Sequence, residues 1–155
     1  MEKLNLIGFQ NQKIINLGNV SNIYVDDKGP GERGSKVIFN MNYSVKIFNG
    51  KFTPDYVYWS YNTKDELESI LKLVNDNTKN WIQPIEQGQR YLNPDYIASV
   101  TVDINKTRVI FNLNYNVTHP KDINKLTSDF VFYDFVQIQN YKNFVDSIVN
   151  QTKKA

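Results

Sequence analysis

The stretch Lys36-Val37-Ile38-Phe39-Asn40-Met41-Asn42-Tyr43-Ser44-Val45 decides the fold, because it returns as Arg108-Val109-Ile110-Phe111-Asn112-Leu113-Asn114-Tyr115-Asn116-Val117. In both stretches apolar and polar residues alternate, which is the pattern of a β-strand with one buried face. The residues expected on the core face of the first strand are Val37, Phe39, Met41, Tyr43 and Val45. The sequence therefore predicts the same half-buried strand twice in one chain.

The flanking sequence is also duplicated, at a shift of 77 residues. Gln10 then falls on Gln87, Asn16 on Asn93, and Asp26 on Asp103. The strand pair itself is shifted by only 72 residues, since the loop at 27–35 is longer than its counterpart near 104–107. We therefore interpret the chain as two repeats, 1–77 and 78–155, packed together as a single body.

Each repeat reads as an antiparallel sheet of four to five strands closed by one helix, so the fold class is α+β. A two-repeat chain of this kind also suggests one pseudo-symmetric domain with an approximate two-fold axis. Thr63, followed by Glu66, predicts the start of the first helix. Pro54, Pro94 and Pro120 are expected in connections. The predicted strands are 4–9, 13–17, 21–26, 36–45 and 55–61 in the first repeat, and 81–86, 89–92, 98–103, 107–117 and 128–135 in the second, whose helix starts near Asn140.

The strand before each helix is aromatic on both faces, at 56–61 and 130–135. One helix covers only one face of a sheet. If Val57, Trp59 and Tyr61 meet the first helix, other rings point to the opposite side. Those rings are Tyr56 and Tyr58, with Phe130 and Phe132 in the second repeat. Either another sheet or chain buries them, since large exposed apolar patches are uncommon on monomers, or they stay accessible and stack on a flat ligand.

Cations and amides are expected on the same sheet face as these rings. Aromatic rings that stack bases, amides that touch base edges and cations that neutralise phosphates are the components of single-strand recognition. Solubility and protection of strand edges would account for the cations equally well, and the high Asn content of the chain for the amides. The candidate residues are Lys13, Lys36, Asn40, Asn42, Tyr56 and Tyr58, with Arg90, Arg108, Asn112, Asn114, Phe130 and Phe132.

The order of four or five strands and then a helix, present twice, resembles the Whirly and PC4-like group of single-stranded nucleic-acid-binding proteins. In that group twisted sheets face the nucleic acid, so the resemblance implies a sheet-face binder. The lysine-rich Lys-Gly-Lys-Ala motif of plant Whirly proteins has no match here, and the N-terminal hairpin adds a strand. No family residue is therefore carried over to this chain.

Catalysis and metal binding have little support in the sequence. The chain has no cysteine and one histidine, His119, which excludes a thiol nucleophile and a multi-histidine metal site from one chain. The glycine-rich segment 29–36 lies between predicted strands, whereas a phosphate-binding loop leads into a helix. We expect no cofactor and no enzymatic activity. The sequence shows neither a signal peptide nor a membrane span, so we expect a cytoplasmic protein.

Two functions of different classes remain. The first is non-enzymatic binding of single-stranded DNA or RNA, and the second is a protein–protein interaction module, such as an adaptor or inhibitor encoded by a phage or mobile element. A formal net charge of +2 is small for a nucleic-acid-binding chain. Further association into a homodimer is compatible with either function.

Overall fold

The computed structural model describes residues 4–29, 33–83 and 89–153, without the side chains of 151–153. It is an α+β fold with three antiparallel sheets and two helices. The elements are β1 (Leu6–Ile7), β2 (Ile15–Asn16), β3 (Val20–Asp26), β4 (Lys36–Lys46), β5 (Phe52–Ser60), α1 (Lys64–Asn77), β6 (Arg90–Leu92), β7 (Ile97–Asp103), β8 (Arg108–His119), β9 (Asp122–Asp134) and α2 (Ile138–Lys153).

The first large sheet has the strand order β5-β4-β3-β6, and α1 covers one of its faces. Trp59 is fully buried there, with its ring centroid 4.9 Å from that of Phe39. As predicted, α1 begins after Thr63, whose side chain accepts a hydrogen bond from the backbone N–H of Glu66 at 3.1 Å. The helix contributes Ile70 and its neighbours to this core.

The second large sheet has the order β7-β8-β9 and packs against α2 in the same way. Phe111 and Tyr133 are buried beneath the helix, and Phe144 lies within 6.2 Å of both rings. The face assignment of the aromatic strands is confirmed in both repeats. Trp59 and Tyr133 point toward a helix, whereas their sequence neighbours point away from it.

Strand β6 joins the two repeats, because it belongs to the second repeat but pairs with β3 of the first. Its side chains alternate, so that Tyr91 enters the first core and Leu92 the second. The backbone N–H of Asn93 extends this contact by donating to the carbonyl of Ser21 at 2.8 Å. The contact is one-sided: a two-fold axis would also pair the segment 13–15 with β7, and no such pairing is present in the described residues. The predicted two-fold relation is therefore not confirmed.

Asn16 and Asn93 begin equivalent short 3-10 turns, and each side chain accepts a hydrogen bond from the backbone N–H two residues later. The turn signals are thus duplicated along with the strands.

Three details differ from the sequence-based expectations. Tyr43 was predicted in the core but is exposed, where its hydroxyl donates to Asp55 at 3.0 Å. Pro54 was predicted in a connection but lies in β5, next to a register shift between β4 and β5. A proline is tolerated there because β5 is an edge strand in the described part of its sheet. The β1–β2 hairpin is shorter than predicted. Parts of the glycine-rich segment and of the predicted strand 81–86 lie outside the described residues.

Candidate nucleic-acid interface

The rings of Tyr56 and Tyr58 lie on the face of the first sheet that α1 leaves open. In the register of β4 and β5, Tyr56 is opposite Asn40 and Tyr58 is opposite Ile38, and directly opposite residues point to the same face. The two ring centroids are 6.4 Å apart. Both side chains are exposed, so neither the second sheet nor a helix of this chain buries them.

Two lysines border this tyrosine pair. Lys36 places its Nζ 4.3 Å from the ring centroid of Tyr58, which is a cation–π contact. Lys13 lies with Tyr56 and Tyr58 around a shallow depression. Its position is fixed because its carbonyl accepts the indole N–H of Trp59 at 2.7 Å. We call this set, Lys13, Lys36, Tyr56 and Tyr58, the first outer face.

The second repeat carries the same arrangement with different residues. Phe130 and Phe132 are exposed, with ring centroids 6.2 Å apart and planes 28° from parallel. The guanidinium carbon of Arg108 lies 4.3 Å from the ring centroid of Phe132. Arg90 lines a cleft together with both rings. We call Arg90, Arg108, Phe130 and Phe132 the second outer face.

The two outer faces differ in charge because Arg108 has an acidic neighbour. Asp134 lies opposite Arg108 in the β8–β9 ladder and accepts from its Nε at 2.5 Å and its Nη2 at 3.0 Å. This bidentate hydrogen bonding lowers the pKa of Asp134 and raises the pKa of Arg108. Lys36 lies opposite the uncharged Ser60 on β5 and opposite Asp26 on β3, whereas Arg108 has a carboxylate on both sides, Asp134 on β9 and Asp103 on β7. The first outer face is consequently the more cationic of the two.

A cleft of about 310 Å³ connects the first sheet with the second outer face. Residues 129–133 of β9 form one wall, and Asn22, Tyr24 and Asn40 of the first sheet line the other. Across the first sheet, the register places Tyr58, Ile38, Tyr24 and Arg90 in one row. Adjacent strands are about 4.8 Å apart, so three spacings place Arg90 about 14 Å from Tyr58. The row therefore leads from Tyr58 toward the cleft that Arg90 lines, although its member Ile38 is only 8% exposed.

The asparagines have a structural role at this surface. The side-chain amide of Asn40 donates to Asn22 on the neighbouring strand at 3.1 Å, and that of Asn112 donates to Ser99 at 3.0 Å. These equivalent cross-strand bonds explain why asparagine occupies the same place in both repeats. Of the other two predicted asparagines, Asn114 is exposed and Asn42 half-buried.

Tyr115 lies where the repeats meet. Its hydroxyl donates to Asp129 at 2.5 Å. Burial, which is the larger cause, and this hydrogen bond both raise the pKa of the phenol. Nearby, the backbone N–H of Phe52 donates to the hydroxyl of Thr118 at 2.7 Å, a second polar link between the repeats. The relative position of the two outer faces is thus fixed by several specific contacts.

The described ranges give little support to a metal site or to a membrane-spanning helix. Within them, no group of three or more His, Cys, Asp or Glu side chains is placed to hold a metal ion. His119 accepts a hydrogen bond from the backbone N–H of Lys121 at 3.0 Å, within the β8–β9 turn. Neither described helix has both the length and the apolar character needed to cross a bilayer.

Sequence reasoning placed the rings and cations of each outer face together but missed three of their neighbours. Tyr24 and Asn22 reach the cleft because β3 is central in the first sheet, and Asp134 pairs with Arg108. The sequence did contain a signal for the ion pair. Arg108 begins one predicted strand and Asp134 lies near the end of the next, and in an antiparallel pair these two positions lie opposite each other. Tyr24 carried no such signal, because its position depends on the pairing between repeats.

The chain was compared with family models, with curated proteins and with solved structures. None of the three comparisons gave a match. The resemblance to the Whirly and PC4-like group stays a prediction from the order of elements.

Proposed function

We propose that this protein binds single-stranded nucleic acid, DNA or RNA, on its two outer faces without catalysing a reaction. The observation that carries the proposal is the repeated cluster of two exposed rings and a cation 4.3 Å from one of them. The four rings, Tyr56, Tyr58, Phe130 and Phe132, are each 40–55% exposed. Large rings normally enter the core, and their exposure at equivalent places in both repeats favours a shared binding role.

In this proposal the rings provide the affinity. Stacking of a base on an aromatic side chain contributes about 1–3 kcal/mol and tolerates any sequence, because every base has a π-face. The lysines and Arg90 neutralise phosphates beside the rings. Asn40 and Asn112 hold adjacent strands together, and the exposed Asn114 is available to a base edge.

The surface between the outer faces sets the path of the strand. It would run from the tyrosine pair across the first sheet, past Tyr24, to Arg90 and the phenylalanine pair. The cleft beside Phe130 and Phe132 has a volume at the lower end of the range for small-ligand sites, about 300–1,000 Å³. The tandem, pseudo-symmetric use of two similar faces belongs to this proposal.

The test is a titration of a fluorescent single-stranded oligonucleotide of about 30 nucleotides, monitored by anisotropy, with the duplex of the same sequence alongside. We expect Tyr58→Ala and Phe132→Ala each to weaken binding by about 5- to 150-fold, which corresponds to the loss of about 1–3 kcal/mol of stacking. Phe48→Ala is the matched control, since Phe48 is fully exposed in the β4–β5 turn, away from both faces.

Flat titrations with both DNA and RNA would overturn the proposal. Equal losses in the Phe48 and Tyr58 variants would also count against it, because the effect would then not belong to the outer faces. Preference for the duplex would be a third contrary result.

A protein partner for the same faces is the second candidate function. The ion pair of Arg108 with Asp134 supports it, since this pair leaves the second outer face with little charge to offer a phosphate. Protein interfaces are enriched in aromatic residues and arginine at their centres. A purified partner whose binding survives nuclease treatment and is lost in Phe132→Ala would support this second function.

A further inference from the structure

The contact between the two repeats has two sides, an added segment and a strand edge that receives it. Each side has an equivalent elsewhere in the chain that is not paired in this way. β6 of the second repeat adds to the edge of β3 in the first. The strand equivalent to β3 is β7, which is an edge strand in the described part of its sheet. The segment equivalent to β6 is the N-terminal hairpin segment 13–15, of which only Ile15 is in a strand, and that strand pairs with β1 in a separate two-stranded sheet. The chain therefore carries one complete contact and two unmatched halves of the same contact.

Burial identifies the unmatched halves residue by residue. Tyr91 is 3% exposed in the complete contact, whereas its equivalent in the first repeat, Ile14, is 68% exposed. On the other side Ile23 is 1% exposed, whereas its equivalent Val100 is 38% exposed. Apolar residues thus occupy both open halves, at the positions that the complete contact buries.

A third pair of equivalent residues shows the same difference. Tyr115 is 8% exposed where it meets the first repeat, whereas its equivalent Tyr43 is 45% exposed. Tyr43 and Ile14 both belong to the first repeat. Their equivalents, Tyr115 and Tyr91, belong to the second repeat and face the first. The exposed position of Tyr43, which the strand pattern did not predict, is therefore explained if this surface receives another copy of the second repeat.

We propose that a second copy of this chain docks here, with the segment 13–15 of one chain adding to β7 of the next. The register follows from the complete contact, in which Tyr24, Ile23 and Asn22 lie opposite Arg90, Tyr91 and Leu92. By equivalence, Thr101, Val100 and Ser99 of one chain lie opposite Lys13, Ile14 and Ile15 of the next.

Charge supports this register. In the complete contact Arg90 lies opposite Tyr24, two residues from Asp26 on β3. In the proposed contact Lys13 lies opposite Thr101, two residues from Asp103 on β7. Both contacts thus place a cation on the added segment and a carboxylate on the strand that receives it. Opposite charges across an antiparallel ladder are favourable.

The contact joins two different surfaces, so it is head-to-tail. Such contacts close into rings or continue as open filaments, depending on the rotation between neighbours. The inference does not rest on the proposed function, since it concerns the protein without nucleic acid. Its failure and the failure of nucleic-acid binding are therefore separate results.

The first test is sedimentation equilibrium of the full chain without nucleic acid. The apparent mass of the wild type is expected to rise with concentration. Ile14→Asp blocks the hairpin side, and Val100→Pro blocks the strand side, where proline is tolerated because β7 is an edge strand. Each variant alone is expected to stay monomeric, and their mixture to give a dimer and nothing larger. Ile14→Thr and Val100→Thr are the controls and are expected to retain assembly.

Several results would overturn the inference. A wild type that stays monomeric up to its solubility limit would do so, as would assembly of either blocked variant alone to the wild-type extent. A dimer that persists in Ile14→Asp would identify a symmetric pairing of two β7 strands instead.

Cross-linking gives a second measurement that does not depend on proline being tolerated. The chain has no cysteine, so Ile14→Cys and Val100→Cys introduce single thiols. Directly opposite residues in a hydrogen-bonded antiparallel pair have Cα atoms about 5.5 Å apart, which suits a disulfide. Mixed oxidation is expected to give a Cys-linked dimer of the two variants, and Ile23→Cys/Tyr91→Cys within one chain is the positive control. Linkage only between like variants would contradict the head-to-tail register.

Discussion

Exchanging the residues opposite Lys36 and Arg108 tests whether charge on the outer faces governs binding. Asp134 holds Arg108 through two hydrogen bonds at 2.5 and 3.0 Å, and the equivalent position opposite Lys36 is Ser60. Ser60→Asp gives Lys36 the same acidic partner, and Asp134→Ser releases Arg108. Ser60 is exposed, so the substitution leaves the core intact.

The magnitude follows from the number of phosphates that each face neutralises. For single strands the logarithm of the binding constant falls with the logarithm of salt concentration by about 0.7 per neutralised phosphate. Ser60→Asp is therefore expected to make the slope shallower by about 0.7, and Asp134→Ser to make it steeper by about 0.7. Over a fourfold rise in salt, the ratio of wild-type to Ser60→Asp affinity shrinks by about 2- to 3-fold.

The assay is anisotropy of the labelled single strand at four or five salt concentrations. Ser69→Asp and Asp76→Ser are matched controls, because they make the same charge changes on α1, away from both faces. The reasoning is refuted if the control variants change the slope as much as the exchanged residues do. It is refuted also if Asp134→Ser leaves both slope and affinity unchanged, since Arg108 would then take no part in binding.

Three further results are expected. Thr63→Ala removes the cap of α1 and should lower the free energy of unfolding by about 1 kcal/mol in urea titrations; an unchanged midpoint would contradict the capping role. Asn40→Ala leaves the buried Asn22 without its donor, and should cost about 1–3 kcal/mol of stability with little loss of oligonucleotide affinity; the opposite pattern would make Asn40 a binding residue. Burial raises the pKa of Tyr115 above the unfolded value of about 10, so its contribution to stability is present below that pH and is lost as pH rises above it. Tyr115→Phe should therefore flatten the alkaline loss of stability, and an unaltered slope between about pH 9 and 11 would refute this assignment.

The elements that the sequence predicted well are those whose patterns are local. Alternation in the strands that became β4 and β8, and the capped helix after Thr63, depend on residues close in the chain. The orientation of Trp59 and Tyr133 toward the helices followed from the same alternation. The alternating strands are repeated, so each copy supported the interpretation of the other.

The features that the sequence did not predict depend on contacts between the repeats. β6 pairs with β3, a strand that is distant in the sequence, and nothing in residues 90–92 alone indicates which strand they join. Tyr43 and Tyr115 occupy equivalent places in the pattern, yet only Tyr115 is covered, since burial depends on the neighbouring repeat. Local periodicity assigns a face to a side chain but does not identify what covers that face.

The cation above one ring of each outer face means that these rings are already capped in the free protein. If the protein binds single strands as proposed, a base must displace the cation from the ring before it can stack there, and the exposed contact that is lost is worth about 0.5–1 kcal/mol. Arg108 is also held by its ion pair with Asp134, whereas the residue at the matching position beside Lys36 is the uncharged Ser60. In the proposed binding mode the tyrosine pair would therefore stack a base before the phenylalanine pair does, and stopped-flow quenching of tyrosine fluorescence in the wild type and in Asp134→Ser would test this order.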